Sequence, residues 1–192
     1  MGNSRTNIVA LGGHNFTETA REEYDFYATP PKAVELLLNH ETFSRNIWEC
    51  ACGQGHISKV LEARGYSVRS TDFVDRGYGR GGVDFLMTSD SFDGDIITNP
   101  PFKFAKQFVE HALDSITAGH KVAMYLRIQF LESEGRRALF EYEPPARVYV
   151  AHGRFGCALN GEWDTRSSSA MMFAWYVWEK GFKGDPVLKW FD

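Results

Sequence analysis

One short segment constrains the fold more than any other part of the sequence. Residues 46–50, Asn-Ile-Trp-Glu-Cys, are typical of a buried strand, which Gly53-Gln54-Gly55 ends. Apolar residues then recur at helical spacing over 57–61. Residues 66–72 alternate as a second strand does. Two neighbouring strands joined through a helix run parallel, so this segment predicts an α/β fold built on a parallel sheet.

Further strands of the same kind follow along the chain. Residues 95–98 and 122–126 are apolar strand candidates, and apolar residues recur at four-residue steps over 104–116, as on one face of a helix. Two late strands, at 147–151 and 170–178, have no clear helix between them. Such strands can pair antiparallel at the edge of a mostly parallel sheet, and we expect this arrangement here.

Composition limits the class of protein. The chain has 21 Lys and Arg against 25 Asp and Glu, a net charge of −4, which excludes a histone-like general binder of nucleic acid but not a local basic groove. Its three cysteines make no disulfide framework and have no zinc-site spacing, as expected in a reducing cytoplasm. No signal peptide or membrane-length apolar run is visible. We expect a cytoplasmic protein without metal or membrane, with a flexible arm over 1–23 and a single domain over 24–192.

The glycine turn and the acid that follows the next strand predict a nucleoside site. Ligands of open α/β sheets bind beyond the carboxyl ends of the strands, where both features lie. Asp72 comes 72 − 53 = 19 residues after Gly53, and a carboxylate there can accept both hydroxyls of a ribose. A dinucleotide site would need glycine where Ser58 stands, and a phosphate-binding Gly-Lys-Ser/Thr sequence is absent. Glu49 would repel a pyrophosphate but suits a cationic ligand.

The sequence Asn99-Pro100-Pro101-Phe102, directly after an apolar strand, carries the sharpest chemical signal. Two prolines fix the backbone, so the Asn99 side-chain oxygen and the Pro100 carbonyl form a rigid pair of acceptors. Such a pair can hold both hydrogens of a planar amine and localise its lone pair for attack on a sulfonium methyl group. Phe102 offers a flat surface on which a ring can stack. The motif therefore predicts methyl transfer to an exocyclic amine, with Asn99 to Phe102 as the catalytic residues.

These motifs together resemble class I S-adenosylmethionine-dependent methyltransferases of the amino-methylating type. More narrowly, the chain resembles the small DNA N6-adenine methyltransferases of phages and prophages. The order of Tyr27-Ala28-Thr29-Pro30, the glycine motif and Asn-Pro-Pro-Phe is similar to the γ arrangement of DNA amino-methyltransferases. The resemblance covers residues 24–180. It implies a Rossmann-like fold with a seven-stranded, mostly parallel sheet, an antiparallel last strand and helices on both faces.

The resemblance also implies roles for individual residues towards S-adenosylmethionine as cofactor. Residues expected around its methionine end are Tyr27, Thr29, Pro30, Glu49, Ala51, Cys52, Gly53 and Gly55. Asp72 would bind the ribose hydroxyls, and Phe73, Asp84 and Phe85 would contact the adenine. Asn99 would contact the cofactor as well as the target amine. The cysteines inside the glycine motif depart from the small or acidic residues that are commoner there.

The substrate stays open at this stage, with adenine N6 in DNA as the expected target and nucleic acid as the expected partner. Asn-Pro-Pro-Phe is also similar to motifs of enzymes that methylate RNA adenine or protein glutamine, and cytosine N4 is a minor option. Residues 153–169 form either a substrate-contacting loop or a solvated hairpin loop. Arg127, Arg136 and Arg137 either meet phosphates or lie on a solvated face. A catalytically silent cofactor- or nucleic-acid-binding module is the alternative of another class.

Overall fold

The structure is a computed structural model that describes residues 26–153, 158–159 and 171–191. The arm expected over residues 1–23 lies outside the described residues, and so does most of the loop expected over 153–169.

Nine strands and four helices are assigned within the described ranges. In chain order they are β1 (Tyr27–Ala28), α1 (Pro31–His40), β2 (Asn46–Glu49), α2 (His56–Ala63), β3 (Ser67–Ser70), β4 (Asp95–Thr98), α3 (Ala105–Ser115), β5 (Lys121–Arg127), α4 (Arg137–Tyr142), β6 (Arg147–Ala151), β7 (Ala158–Leu159), β8 (Phe173–Glu179) and β9 (Val187–Phe191). Short 3₁₀ helices cover Phe85–Met87, Phe102–Phe104, Ile128–Leu131 and Glu134–Arg136.

Seven of the strands form one sheet in the order β3-β2-β4-β5-β8-β6-β9. All of its pairings are parallel except those of β8, which runs antiparallel to both β5 and β6. The expected mostly parallel sheet with a late antiparallel strand is therefore confirmed. The expected edge position of that strand is wrong, because β8 lies inside the sheet and the unpredicted strand β9 forms the edge. Strands β1 and β7 pair antiparallel in a separate two-stranded sheet.

Helices cover both faces of the large sheet. Successive side chains of a strand point to opposite faces, so each strand contributes to the core on both sides. On β2, Ile47 packs with the face that α1 and α2 cover, whereas Trp48 packs with the face that α3 covers. Both side chains are fully buried. Strands buried on two faces are rich in apolar residues, and the adjacent Ile96 and Ile97 make the short segment 95–98 recognisable as a strand from its sequence.

A buried ion network ties α1 to the amino-terminal ends of β5 and β6. The Glu41 carboxylate accepts hydrogen bonds from Lys121 Nζ at 2.9 Å, from Tyr149 Oη at 2.8 Å, and from the Arg147 guanidinium. Burial alone would raise the pKa of Glu41, but these hydrogen bonds, with that from Arg147 the strongest, outweigh it and lower the pKa. The network stabilises the sheet at the end opposite to the predicted site.

Candidate active site

The turn after β2 is held by the acid that follows β3. Asp72 accepts a hydrogen bond from Gly53 N to Oδ2 at 2.7 Å and another from Val74 N to Oδ1 at 2.8 Å. Each carboxylate oxygen keeps lone pairs for further donors. The carboxylate is therefore fixed in place by backbone amides and lies on the wall of a cavity, as a ribose-binding acid must.

Two glycines of this turn are required by close packing as well as by backbone angle. Gly53 has a φ of +53° and Gly55 a φ of +78°, both in the left-handed region that side chains rarely adopt. A Cβ atom at Gly53 would lie 2.2 Å from the Phe26 ring, and one at Gly55 would lie 2.5 Å from the Tyr78 ring. The Phe26 and Tyr78 rings therefore pack directly against the two glycines, where a side chain would clash. Phe26 also lines the cavity.

Glu49 ends β2 as a buried acid with only 1% of its surface exposed. Its Oε2 atom accepts hydrogen bonds from Ser58 N at 2.8 Å and from the Ser58 hydroxyl, which also lies 2.7 Å from Ser70 Oγ. Burial raises the pKa of Glu49 well above its usual range, despite the hydrogen bonds from Ser58. A cationic ligand in the cavity would stabilise the ionised carboxylate, so this wall of the site favours positive charge.

The cysteines beside Glu49 are inert thiols in this arrangement. Cys50 and Cys52 are both buried, and neither is in a disulfide. Burial raises the pKa of Cys50, and it raises the pKa of Cys52 to about 12. Nucleophilic cysteines need the thiolate, so neither thiol suits covalent catalysis near neutral pH.

The Asn99 carboxamide is oriented by the segment that precedes α1. Its Nδ2 atom donates to Tyr27 O at 2.7 Å and to Thr29 Oγ1 at 3.0 Å. Both amide hydrogens are engaged there, so Oδ1 points away from these two acceptors. Thr29 is only 2% exposed, and Oδ1 is buried as well. The sequence Tyr27-Ala28-Thr29-Pro30 therefore contacts the Asn-Pro-Pro-Phe motif directly, although about 70 residues separate them.

The Phe102 ring is enclosed by other side chains. Tyr27 stacks on it with ring centroids 5.2 Å apart, and the Arg127 guanidinium lies 4.4 Å from its centroid. Phe173 of β8 packs against it at 5.7 Å. A heterocycle that stacks on Phe102 would have to replace one of these contacts.

A cavity of about 1060 Å³ joins these features at the carboxyl ends of β3, β2, β4 and β5. The residues predicted from sequence that line it are Tyr27, Thr29, Glu49, Ala51, Cys52, Asp72, Phe73, Asp84, Phe85, Asn99, Pro101 and Phe102. Pro30, Gly53, Gly55 and Pro100 are not among its lining residues, although the glycines shape the turn beside it. Ligand pockets usually measure about 300–1,000 Å³, so this cavity has room for a nucleoside and a further ring.

Several lining residues were not predicted. Phe26 directly precedes Tyr27, and Arg76 follows Asp72 closely in a glycine-rich loop. The sequence could have indicated these residues through their position, because each adjoins a motif or the end of a strand. Arg127, which ends β5, also lines the cavity; the sequence predicted for it either a phosphate contact or a solvated face. His56, the first residue of α2, also lines the cavity, and burial lowers its pKa, as does nearby Lys59.

The described part of the chain contains no cluster of three or more metal-ligating side chains. None of its helices combines the length and apolar character that a membrane crossing needs.

Comparison with solved structures places the fold. A candidate RNA methyltransferase from Pyrococcus horikoshii matches with a TM-score of 0.58 at 16% identity, over 83% of this chain and 89% of that one. An S-adenosylmethionine-dependent O-methyltransferase from Thermotoga maritima matches with a TM-score of 0.58 at 12% identity, over 83% and 69%. The modification subunit of a candidate type I restriction enzyme from Vibrio vulnificus gives 0.57 at 12% identity, over 89% of this chain but 48% of that one.

The sequence matches no protein-family model and no curated protein. The structural matches alone assign the fold. They confirm the expectation from sequence that the chain has the Rossmann-like fold of class I S-adenosylmethionine-dependent methyltransferases.

Proposed function

We propose that this protein transfers a methyl group from S-adenosylmethionine to an exocyclic amine, with adenine N6 in DNA as the preferred target. One observation carries the proposal: the Asn99 carboxamide, held by Tyr27 and Thr29, lines the same cavity as Glu49 and Asp72. The amide residue therefore lines a cavity that also has the two acids expected of a nucleoside-sulfonium site.

The residues present fit S-adenosylmethionine. Asp72, fixed by Gly53 N and Val74 N, would accept the ribose hydroxyls. Glu49 would lie near the positively charged methionine end, where a cation lowers the cost of ionising a buried acid. Phe85, itself 2% exposed, gives an apolar wall for the adenine. When bound, the cofactor supplies an electrophilic methyl group on its sulfonium.

The chain's own groups would prepare the amine. Asn99 Oδ1 and the Pro100 carbonyl would each accept one hydrogen of the target NH₂, which favours a tetrahedral nitrogen with a localised lone pair. Tyr27 and Thr29 prevent the carboxamide from turning its donor end towards the amine. A neutral amide is a weak base, so the proton would leave after the methyl group arrives. Since Oδ1 is buried, entry of the target would have to displace the groups that cover it.

The choice of nucleic acid has two supports. The Asn-Pro-Pro-Phe motif resembles that of DNA adenine methyltransferases, and it lies at a strand end facing the cavity. The structural neighbours include a candidate RNA methyltransferase and the modification subunit of a candidate type I restriction enzyme, which supports a nucleic-acid substrate. The preference for DNA over RNA comes from the motif resemblance alone.

The test is transfer of tritiated methyl groups from S-adenosylmethionine to DNA, RNA and protein offered together, followed by mass spectrometry of the labelled product. We expect label in DNA as N6-methyladenine. Asn99→Ala should lower turnover by roughly 10²–10³-fold, the usual loss for a transition-state hydrogen-bonding group, and should leave cofactor affinity nearly unchanged. Asn39→Ala, at an exposed position on α1, is the matched control and should keep full activity.

Other outcomes each remove a specific part of the proposal. Label in RNA or protein alone would overturn the assignment to DNA. Label in none of the three would favour a silent binding module. Weaker cofactor binding by Asn99→Ala, with turnover of the bound complex intact, would show that Asn99 serves the cofactor rather than the amine.

A further inference from the structure

Arg127 is a cation whose counter-charge is missing from the described part of the chain. It ends β5, and its guanidinium lies 4.4 Å from the Phe102 ring centroid. Its Nε atom is buried and has no acceptor, and no carboxylate among the described residues forms an ion pair with it. Burying part of a guanidinium without an acceptor is costly, so an anionic ligand would be strongly favoured here.

The two neighbouring arginines differ from Arg127 in this respect. Arg136 donates to the backbone carbonyls of Phe130 at 2.7 Å and Gln129 at 3.0 Å, so it serves the local fold. Arg137 pairs with Glu141 at 2.6 Å on an exposed helix surface. The sequence gives these three arginines equal weight, whereas the structure separates Arg127 from the others.

The strand order places Arg127 on one side of the site. Along the order β3-β2-β4-β5, the strand ends carry Asp72, Glu49, Asn99 and Arg127 in that sequence. Adjacent strands lie about 4.8 Å apart, so these four groups form a row across the cavity. Asp72 and Glu49 occupy the half proposed for the cofactor, and Asn99 stands between them and Arg127. Arg127 therefore belongs to the half that the target would enter.

A second, smaller cavity is also lined by Arg127. It measures about 140 Å³, and Arg127, Gln129 and Arg136 are its polar lining residues. Arg127 and Phe102 line both cavities, so together they form the boundary between them. A group bound in the small cavity would be adjacent to a ring bound beside Phe102.

We propose that Arg127 binds a phosphodiester of the substrate strand, next to the nucleotide whose amine faces Asn99. The inference rests on the proposed function and extends it to the substrate's backbone. A guanidinium can donate two parallel hydrogen bonds to one phosphate, which gives both charge neutralisation and a fixed orientation. The carboxylate of the cofactor is also an anion that a guanidinium could bind. The strand order argues against it, because Glu49 and Asn99 lie between Arg127 and the ribose-binding Asp72.

The experiment compares the wild type with Arg127→Gln, Arg127→Lys and the control Arg137→Gln. Fluorescence anisotropy would follow binding of labelled single-stranded DNA of mixed sequence over a range of salt concentrations. Each phosphate contact contributes about 0.7 to the slope of log affinity against log salt for a single strand. Arg127→Gln should lower the slope by about that amount and weaken binding roughly tenfold at low salt. Arg127→Lys and Arg137→Gln should keep the wild-type slope.

Calorimetry of S-adenosylmethionine binding shows whether Arg127 binds the substrate phosphodiester or the cofactor carboxylate. Cofactor affinity should be unchanged in Arg127→Gln; a loss there, with the DNA slope intact, would assign Arg127 to the cofactor carboxylate and overturn the inference. An unchanged slope, an equal fall in Arg137→Gln, or no strand binding by the wild type would overturn it too. Methyl transfer to DNA with an unchanged slope would refute this inference alone. A slope that depends on Arg127, with label only in RNA, would refute only the assignment to DNA.

Discussion

Replacing Thr29 with valine tests how the amide of Asn99 is held. Valine has nearly the shape of threonine but no hydroxyl, so the substitution removes the acceptor that lies 3.0 Å from Asn99 Nδ2. Tyr27 O, at 2.7 Å, still accepts one hydrogen. The other hydrogen loses its partner in a buried environment, because Thr29 is 2% exposed. The carboxamide would then be less firmly oriented towards the amine.

The size of the effect follows from the cost of one hydrogen bond. Loss of a partner by a buried donor costs about 1–3 kcal/mol. Rotation of the carboxamide would recover part of this, so we expect about 1–2 kcal/mol to appear in the barrier. This corresponds to a fall in kcat of roughly five- to thirtyfold. Cofactor affinity should not change, because the lost contact is within the protein.

The assay is the initial rate of tritium transfer at saturating cofactor, with the cofactor dissociation constant measured separately by calorimetry. Thr29→Ser retains the hydroxyl and should restore most of kcat, which separates orientation from simple loss of fold. An unchanged kcat in Thr29→Val would refute the reasoning. Weaker cofactor binding at unchanged kcat would instead support the direct cofactor contact that the family resemblance implies for Thr29.

The remaining predictions concern the nucleoside acid and the ion network. Asp72→Ala should weaken cofactor binding by roughly 1–3 kcal/mol in calorimetry, because the ribose loses a charged acceptor and Gly53 N loses its partner; unchanged affinity would remove the ribose role. Glu41→Gln should lower the free energy of unfolding in urea by about 3 kcal/mol, because it leaves buried cations short of a counter-charge, whereas Glu35→Gln, at an exposed pair, should cost less than about 1 kcal/mol. The folded-state pKa of Glu41 is lowered, so its stabilisation is complete above the unfolded pKa and is lost as pH falls through the folded pKa. The wild type should therefore lose its stability advantage over Glu41→Gln in acid, and an advantage that persists there would contradict this assignment.

Strands with a buried run or a regular alternation, such as β4 and the edge strand β3, were predictable, whereas β9 and the two-residue strands were not. The range 95–98 has two adjacent isoleucines and is followed directly by a proline motif, and the structure gives β4 the same bounds. Strand β9 escaped prediction because Leu188 and Trp190 are exposed, so its sequence has no pattern of one buried and one exposed face. The pair of β1 with β7 has two residues in each strand and joins distant segments, which leaves no periodicity to detect.

In the candidate site, too, features set by local motifs were predictable from the sequence, whereas contacts between distant segments were not. The row of acids and amide at the strand ends follows from motif and topology, so Asp72, Glu49 and Asn99 were placed together from sequence. The contact of Thr29 with Asn99 depends on three-dimensional packing between segments about 70 residues apart. Arg127 was noticed from sequence, but only the structure shows that no carboxylate among the described residues pairs with it, whereas Arg137 pairs with Glu141.

The two-stranded sheet connects the strand at 158–159 with the amide proposed to hold the target. Tyr27 lies opposite Leu159 in this pairing, and the carbonyl of Tyr27 accepts a hydrogen bond from Asn99. A change in the pairing of β1 with β7 would therefore alter the position of the carbonyl that orients Asn99. In the proposed methyltransferase, such a change should lower the methylation rate although it lies outside the cavity.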